Sequence, residues 1–178
     1  MTPTLSIEEV KDKIRAIPDF PKPGIIFRDI TTGIKDAKTL QVMVNYLCDQ
    51  YKDEKIDYIA GIESRGFIFG TAMAYKMNCG FITVRKPNKL PAKTISESYD
   101  LEYGSNTIEI HEDAIEPGAR VLVVDDLLAT GGTAKAACDL VRRAGGKLIG
   151  AAFLIELNDL SGRNVLKDCG KVVSMLQY

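Results

Sequence analysis

The sequence lacks the features that would place it among membrane or nucleic-acid-binding proteins. No apolar run reaches the roughly 18 residues that a membrane-spanning segment needs, and the first residues have no apolar stretch behind a basic segment. With 23 Lys and Arg against 24 Asp and Glu, the formal net charge is −1, so a basic surface for phosphate backbones is not expected. We therefore expect a cytosolic protein without a membrane or nucleic-acid partner.

Cysteine and histidine are too sparse for a metal or redox centre built from them. Cys48, Cys79, Cys138 and Cys169 are widely separated and form no C-x-x-C pair, so we expect reduced, mostly buried thiols. His111 is the only histidine and has no partner at the spacing of a catalytic triad. We expect it at the end of a strand on the surface.

The remaining composition is that of an ordinary globular protein. Of the 178 residues, 46% are hydrophobic and 26% are charged. A chain of this length can bury roughly 70% of the surface that its unfolded form exposes. We therefore expect a single domain over residues 1–178.

The N-terminal third predicts helices around an irregular segment. Ser6 followed by Glu9 is a capping-box pattern, and apolar residues then recur at helical spacing, which predicts a helix that ends at Pro18. Prolines and a glycine among large apolar residues predict an ordered coil after it, and a second helix is expected from about Asp36. Within residues 1–35 we expect the first helix and a coil that forms a small hood over the C-terminal edge of a sheet.

The middle and end of the chain alternate between short apolar runs and helical patterns. Strands are predicted at 56–62, 80–85, 121–126, 148–155 and 172–176, with helices through Met77 and at 132–144. This rhythm predicts an α/β fold, doubly wound, with a mainly parallel central sheet and helices on both faces. Residues 99–111 alternate apolar and polar side chains around Gly104, which predicts a hairpin, and we expect residues 87–111 to form a flexible hairpin lid.

The strongest chemical signal is V-L-V-V-D-D-L-L-A-T-G-G-T-A at residues 121–134. A buried strand ends in Asp125 and Asp126, at the sheet edge where open α/β folds bind ligands. The small residues after it lead into a helix whose free N–H groups form a phosphate site, and the acids can accept hydrogen bonds from vicinal sugar hydroxyls. Two alternatives stay open here: Asp125 as a helix cap, and an acidic pocket that binds a metal.

This segment resembles the phosphoribosyl-diphosphate motif of the type I phosphoribosyltransferases. Its form D-D-L-L-A-T-G-G-T, with F-P-K-P-G-I-I-F-R-D-I, E-S-R-G-F and E-S-Y-D-L-E-Y-G, resembles the members of that family that act on adenine, over nearly the whole chain. The resemblance implies transfer of the 5-phosphoribosyl group from 5-phospho-α-D-ribose 1-diphosphate (PRPP) to adenine, giving AMP and pyrophosphate in purine salvage. It also implies a homodimer and Mg²⁺ held mainly by substrate and water, with no protein metal cage.

The resemblance further implies roles for individual residues. Ribose hydroxyls would be held by Asp125 and Asp126, and the 5′-phosphate would be enclosed by Ala129, Thr130, Gly131, Gly132 and Thr133. The pyrophosphate site would comprise Glu63, Ser64, Arg65, Arg85, Lys86, Lys89 and Tyr103. A non-proline cis peptide is expected between Glu63 and Ser64. Without the family pattern, a surface residue beside a helix start is the better interpretation of Arg65. The alternative for Arg85, Lys86 and Lys89 is a solvated basic loop.

Adenine recognition and catalysis are implied by the same resemblance. The carbonyl of Ile26 and the N–H of Arg28 would read the amino group and N1 of the base, and Leu127 and Leu157 would sandwich the ring. Glu102 would be the catalytic glutamate. From the sequence alone, the leucines are equally ordinary core residues. Without the family pattern, Glu102 would be interpreted as a solvent-facing strand residue.

Two other functions share the central motif. A phosphoribosyltransferase for hypoxanthine, guanine or orotate would need a Lys or other donor to reach a 6-oxo group, and no Lys lies near residues 153–157. A regulator that senses the sugar phosphate while binding RNA or DNA would need a basic surface or an added DNA-binding segment. The near-neutral charge and the compact length argue against the second function.

Overall fold

A computed structural model describes residues 5–100 and 105–178 of the chain. The chain divides into two compact units, Met1–Tyr46 and Leu47–Tyr178. The expectation of one domain over residues 1–178 stays a prediction, as does the position of the hood over the sheet. Within the described residues no helix is long and apolar enough to cross a membrane.

The first helix, α1 (Ile7–Asp12), begins as predicted and ends earlier than predicted. The Ser6 side chain accepts from the backbone N–H of Glu9, and the Glu9 side chain accepts from the N–H of Ser6, which completes the capping box. The prediction that this helix continues to Pro18 is wrong. The chain leaves the helix at Lys13 and enters strand β1 (Arg15–Pro18), where tertiary pairing outweighs the helical spacing of the apolar residues.

The segment predicted as ordered coil contains a strand. Strand β2 (Ile26–Asp29) pairs antiparallel with β1, with Arg15 opposite Asp29 and Pro18 opposite Ile26. The prediction of coil throughout this segment is therefore wrong. The pairing gives its backbone groups hydrogen-bond partners that an irregular coil would have to find in water.

Two helices follow, α2 (Thr31–Ile34) and α3 (Ala37–Asp49). The start of α3 agrees with the predicted one, and Asp36 caps it by accepting from the backbone N–H and the hydroxyl of Thr39. The predicted apolar face is buried at Met43, Val44 and Leu47.

The second unit is built on a parallel sheet of five strands. They are β3 (Tyr58–Ile62), β4 (Gly80–Val84), β7 (Arg120–Leu128), β8 (Lys147–Glu156) and β9 (Lys171–Gln177), in the spatial order β4-β3-β7-β8-β9. Strands β3 and β7 are neighbours: β4 continues the sheet beside β3, and β8 and β9 continue it on the opposite side, beside β7. The β3–β7 pair is the topological switch point, where open α/β sheets bind ligands beyond the strand ends.

Helices α4 (Gly66–Met77) and α5 (Gly132–Arg143) cover opposite faces of this sheet. Gly70 of α4 lies against Ile59 and Phe81, while the alternate residues of the same strands, such as Ala60 and Ile82, share a core with α5. Side chains alternate between the faces of a strand, so α4 packs on one face of the sheet and α5 on the other. The doubly wound α/β prediction is confirmed.

A hairpin of β5 (Thr94–Asp100) and β6 (Ser105–His111) interrupts the parallel rhythm. A hairpin was predicted here, but its first strand begins at Thr94 and not at residue 99, and Leu101 and Tyr103 lie outside the described residues. Its register runs from Thr94 opposite His111 to Asp100 opposite Ser105. Ile108 and Ile110 are buried in the core that includes α5. His111 ends β6 as expected and is partly exposed, while its Nε2 atom is buried and has no hydrogen-bond partner among the described residues.

Candidate active site

A cavity of about 730 Å³ opens at the carboxyl ends of β3 and β7, at the switch point of the sheet. Its walls come from the end of β7, the segment after β3, the segment after β4 and the hairpin. Polar and charged side chains dominate the lining near the strand ends, with Asp125, Asp126, Arg65 and Arg85 among them. A volume of this size suits a ligand of nucleotide dimensions.

The paired acids at the end of β7 are largely withdrawn from water. Asp126 is buried and its carboxylate oxygen lies 2.9 Å from Nε of Arg65. Burial raises the pKa of Asp125 well above its usual range, and the neighbouring Asp126 charge raises it further. Burial also raises the pKa of Asp126, against the opposing effect of Arg65. Two adjacent acids, of which Asp126 is buried and Asp125 partly buried, are costly for a fold, and this cost points to a ligand role.

The capping alternative for Asp125 is not what the structure shows. Its Oδ1 atom accepts from the backbone N–H of Asp126 at 2.8 Å, and helix α5 has Gly131 at its N-cap with no side-chain cap. Gly66, at the start of α4, approaches the acid closely: a Cβ there would lie 2.8 Å from the carbonyl oxygen of Val124 and 2.9 Å from Oδ1 of Asp125. The N-terminus of α4 therefore faces the acids.

The segment after β3 brings a second set of charges into the cavity. The peptide bond between Glu63 and Ser64 is cis, as predicted. Glu63 accepts from Nε of Arg85 at 3.1 Å and from the backbone N–H of Lys86 at 3.1 Å. These contacts lower the pKa of Glu63 although burial opposes them, so the carboxylate is ionised at neutral pH and holds Arg85 at the cavity wall.

The loop at residues 129–133 joins β7 to α5. Gly131 has φ +85°, in the left-handed region that favours glycine. The first N–H groups of α5 follow it, and the positive end of the helix dipole lies at the same place. The hydroxyl of Thr133 donates to the Tyr99 hydroxyl of the hairpin at 2.9 Å. The loop thus has the geometry of an anion site and contacts the hairpin directly.

The sequence matches the phosphoribosyl transferase domain family over residues 34–176. It is 54% identical to the adenine phosphoribosyltransferase of Acidobacterium capsulatum, over 100% of this chain and 99% of that protein. The chain belongs to the adenine phosphoribosyltransferase family. The crystal structure of the Thermoanaerobacter pseudethanolicus adenine phosphoribosyltransferase has 48% identity and a TM-score of 0.94, with 97% of this chain and 100% of that chain covered. The Saccharomyces cerevisiae enzyme, complexed with an imino-altritol bisphosphate and adenine, has 38% identity and a TM-score of 0.89, with 96% and 98% covered.

Most of the residues that the family resemblance singled out line one cavity in this phosphoribosyltransferase. They are Glu63, Ser64, Arg65, Arg85, Lys86, Asp125, Asp126, Leu127, Ala129 and Thr133. Thr130 and Gly132 line a smaller cavity of about 300 Å³, whose lining also includes Tyr99. Lys89 is exposed, and its carbonyl accepts from Nη1 of Arg85 at 3.1 Å.

Other predicted residues of this phosphoribosyltransferase do not line the cavity or are not described. Leu157 follows β8 and is partly buried, and Ile26 and Arg28 are in β2 of the first unit. Glu102 and Tyr103 lie outside the described residues. Their roles stay predictions.

Two features of the site were missed from the sequence. Tyr99 and Thr107 of the hairpin line the cavity, although neither residue was given a role from the sequence. Gly162 lies against the 129–133 loop, and a Cβ on it would lie 2.0 Å from the carbonyl oxygen of Ala129. The glycine in S-G-R-N was a weak signal for this contact, because nothing local relates it to a loop some thirty positions earlier.

Proposed function

We propose that this phosphoribosyltransferase transfers the 5-phosphoribosyl group from PRPP to adenine, giving AMP and pyrophosphate in purine salvage. One observation carries the proposal: a single cavity at the switch point joins the paired acids, the two ends of the 129–133 loop (Ala129 and Thr133) and the Glu63–Arg85 pair. These groups match the three parts of PRPP, which are a ribose diol, a 5′-phosphate and a pyrophosphate. The adenine preference is supported by the relatives at 54% and 38% identity, of which the second binds adenine.

The reaction is a displacement at C1 of ribose by N9 of adenine. Positive charge develops on the ribose ring and negative charge on the departing pyrophosphate. Arg65, Arg85 and Lys86, with the backbone around Ser64, are proposed to hold the pyrophosphate, with Lys89 and Tyr103 adding to that site. Fixed charges that meet the leaving group where its charge grows would lower the barrier.

The other end of the substrate is proposed to bind at β7 and the loop after it. Asp125 and Asp126 would accept hydrogen bonds from the two ribose hydroxyls, and ligand binding would favour their ionised forms. The N–H groups and hydroxyls of the 129–133 loop would receive the 5′-phosphate. Adenine is proposed to lie against Leu127 and Leu157, with its edge read by the backbone of Ile26 and Arg28.

Mg²⁺ is proposed as the cofactor, carried in on the phosphates of PRPP. Magnesium prefers oxygen ligands and usually keeps several waters. The carboxylates of Asp125 and Asp126 at the cavity suit such an ion. Residues 5–100 and 105–178 contain no group of three or more His, Cys, Asp or Glu placed to bind a metal. The ion would therefore take most of its ligands from substrate and water, and it would neutralise charge on the leaving pyrophosphate.

A homodimer in the cytoplasm is proposed for the active form. Helix α4 has apolar side chains on its outer face, with Tyr75 91% exposed and Ile68 39% exposed, and such a face supports contact with a second copy. All four cysteines are free thiols, which suits a reducing compartment. Light scattering coupled to gel filtration should give twice the mass of one chain at micromolar concentration. A mass of one chain at every concentration would refute the dimer.

A crystal structure of the protein with AMP tests the proposed placement of the substrate. The 5′-phosphate is expected on the N–H groups of residues 129–133, with the ribose hydroxyls within hydrogen-bond distance of Asp125 and Asp126. Inorganic sulfate at high concentration is the control ligand and should occupy the same loop. A phosphate bound elsewhere, with this loop empty, would contradict the assignment.

A further inference from the structure

The 3₁₀ segment Gly162–Leu166 supports the 129–133 loop through direct backbone contact. A Cβ on Gly131 would lie 2.5 Å from the carbonyl oxygen of Gly162 and 2.6 Å from Cγ2 of Val165. A Cβ on Gly162 would lie 2.0 Å from the carbonyl oxygen of Ala129. A side chain on Gly131 would displace the backbone of the 3₁₀ segment, and a side chain on Gly162 would displace the backbone of the loop. The position of the loop therefore depends on the position of this segment.

Strand β8 holds the start of the same loop. Glu156 is opposite Leu128, the residue that precedes Ala129, and the N–H of Leu157 donates to the carbonyl of Leu128 at 2.9 Å. The backbone of Glu156 is thus paired with the chain as it enters the loop. Its side chain is free to make a second connection.

That second connection is an ion pair with Arg163, which follows Gly162 directly. Nε of Arg163 donates to Oε1 of Glu156 at 2.9 Å, and Nη2 contacts the other carboxylate oxygen. Nη1 donates to the carbonyl of Val172 at 2.8 Å, and Nη2 lies 3.3 Å from Oγ of Ser174. Arg163 therefore connects the 3₁₀ segment to β8 and β9 through a bidentate contact and two further ones.

The chemistry of this pair favours one fixed geometry. Glu156 is only 5% exposed, and a buried carboxylate without its guanidinium would be an uncompensated charge. A planar guanidinium that meets a carboxylate through two parallel hydrogen bonds restricts both side chains, which a lysine cannot reproduce. The pair lies at the cavity end of the sheet, yet neither side chain lines the cavity.

We propose that Glu156 and Arg163 are positioning residues for the 129–133 loop. They hold Gly162 against Ala129 and Gly131, so that the N–H groups of the loop keep the arrangement that a 5′-phosphate monoester requires. The proposal rests on the proposed function of the loop as the phosphate site. A misplacement of about 1 Å in such a site can cost about 10²-fold in catalysis, so a support outside the cavity has a measurable effect inside it.

Calorimetry with two ligands separates this role from a general structural one. Ribose 5-phosphate reports on the 129–133 loop, and inorganic pyrophosphate with Mg²⁺ reports on the site at Glu63 and Arg85. Arg163→Met and Glu156→Gln should each weaken ribose 5-phosphate binding by on the order of 10-fold while the Kd of pyrophosphate stays within about twofold. Arg163→Lys keeps the charge and should recover part of the affinity.

Two further variants complete the design. Gly162→Ala places a methyl group against the loop without touching the ion pair and should weaken ribose 5-phosphate binding by a similar factor. Arg142→Met, which removes ion pairs with Asp139 and Asp168, is the matched control and should leave both Kd values unchanged.

Some outcomes would overturn the positioning role. Equal weakening of both ligands in Arg163→Met and Glu156→Gln, or a lower Tm with both Kd values unchanged, would do so. Should Arg163→Met fail to fold, Glu156→Gln and Gly162→Ala decide the question alone. Absence of ribose 5-phosphate binding in the unmodified protein would instead refute the proposed function of the loop, and the positioning role would fall with it.

Discussion

Asp125→Asn and Asp126→Asn are each expected to lower kcat/KM for PRPP by about 10- to 100-fold. An ionised acid that accepts a hydrogen bond from a ribose hydroxyl contributes roughly 1.5–3 kcal/mol, and each 1.4 kcal/mol or so corresponds to a factor of ten in rate. Asparagine keeps the shape of the side chain and loses the charge. The measurement is initial rates with adenine held at saturation and PRPP varied.

The same variants should not unfold more easily at neutral pH, which separates a ligand role from a packing role. The folded state raises the pKa of Asp125 above its ordinary value of 3.8 because burial disfavours the charge. Such a carboxyl destabilises the fold above its raised pKa, and the cost disappears as the pH falls through that value. Asp125→Asn is therefore expected to raise Tm at pH 7. Asp126→Asn should gain less, because it removes an ion pair with Arg65.

Asp57→Asn is the matched control at the opposite end of the sheet. Asp57 accepts from the backbone N–H of Arg120 at 2.8 Å, and this bond is the main cause of its lowered pKa. Its contribution to stability is present above its ordinary pKa and is lost as the pH falls through the lowered value. The control should lower Tm and keep kcat/KM. Full activity with a lower Tm in Asp125→Asn would instead make that acid a structural residue.

Glu102→Gln and Glu102→Leu are expected to lower kcat by on the order of 10²-fold with little change in KM. A carboxylate that receives or holds the proton of the purine as N9 attacks contributes mainly in the transition state. The measurement is kcat with both substrates saturating. Glu112→Gln, an exposed glutamate just beyond β6, is the control and should keep full activity. Near-normal kcat in both Glu102 variants would remove this residue from the mechanism.

Hydrogen exchange tests whether residues 87–111 act as a lid. Closure would exclude water from the ribose cation and strengthen the electrostatic contacts in the site. Tyr99 connects this hairpin to Thr133 of the 129–133 loop, so a ligand on the loop has a direct route to the hairpin. Protection of hairpin peptides should increase with PRPP and an adenine analogue. Exchange that does not depend on ligands would refute the lid.

The central sheet and its site were predictable from the sequence because both depend on local patterns. The run from Val121 to Val124 alternates with helical segments, and the glycines after it mark the turn into α5. The order of residues along β3 and β7 then brings Glu63 and Asp125 to one edge. Parallel strands place their carboxyl ends together wherever the connections are helices.

Other parts of the structure depend on contacts that no local pattern records. Ile14 and Ile17 continue a helical spacing, yet the pairing of β1 with β2 takes Ile17 into a strand. Tertiary contacts override propensity in such short segments. Gly162, Glu156 and Arg163 act on a loop that is distant in sequence, and Tyr99 reaches Thr133 across the hairpin. Only the folded chain brings these residues together.

Release of pyrophosphate from PRPP with each purine base in turn, in the presence of Mg²⁺, tests the central claim most directly. Adenine should support turnover, with kcat/KM higher than for hypoxanthine or guanine by on the order of 10²-fold or more. The reason is that a site with an acceptor for the 6-amino group leaves that acceptor without a hydrogen bond when a 6-oxo base binds. Turnover should stop when EDTA removes the metal. Equal rates with hypoxanthine or guanine, or no pyrophosphate release with any base, would contradict the account.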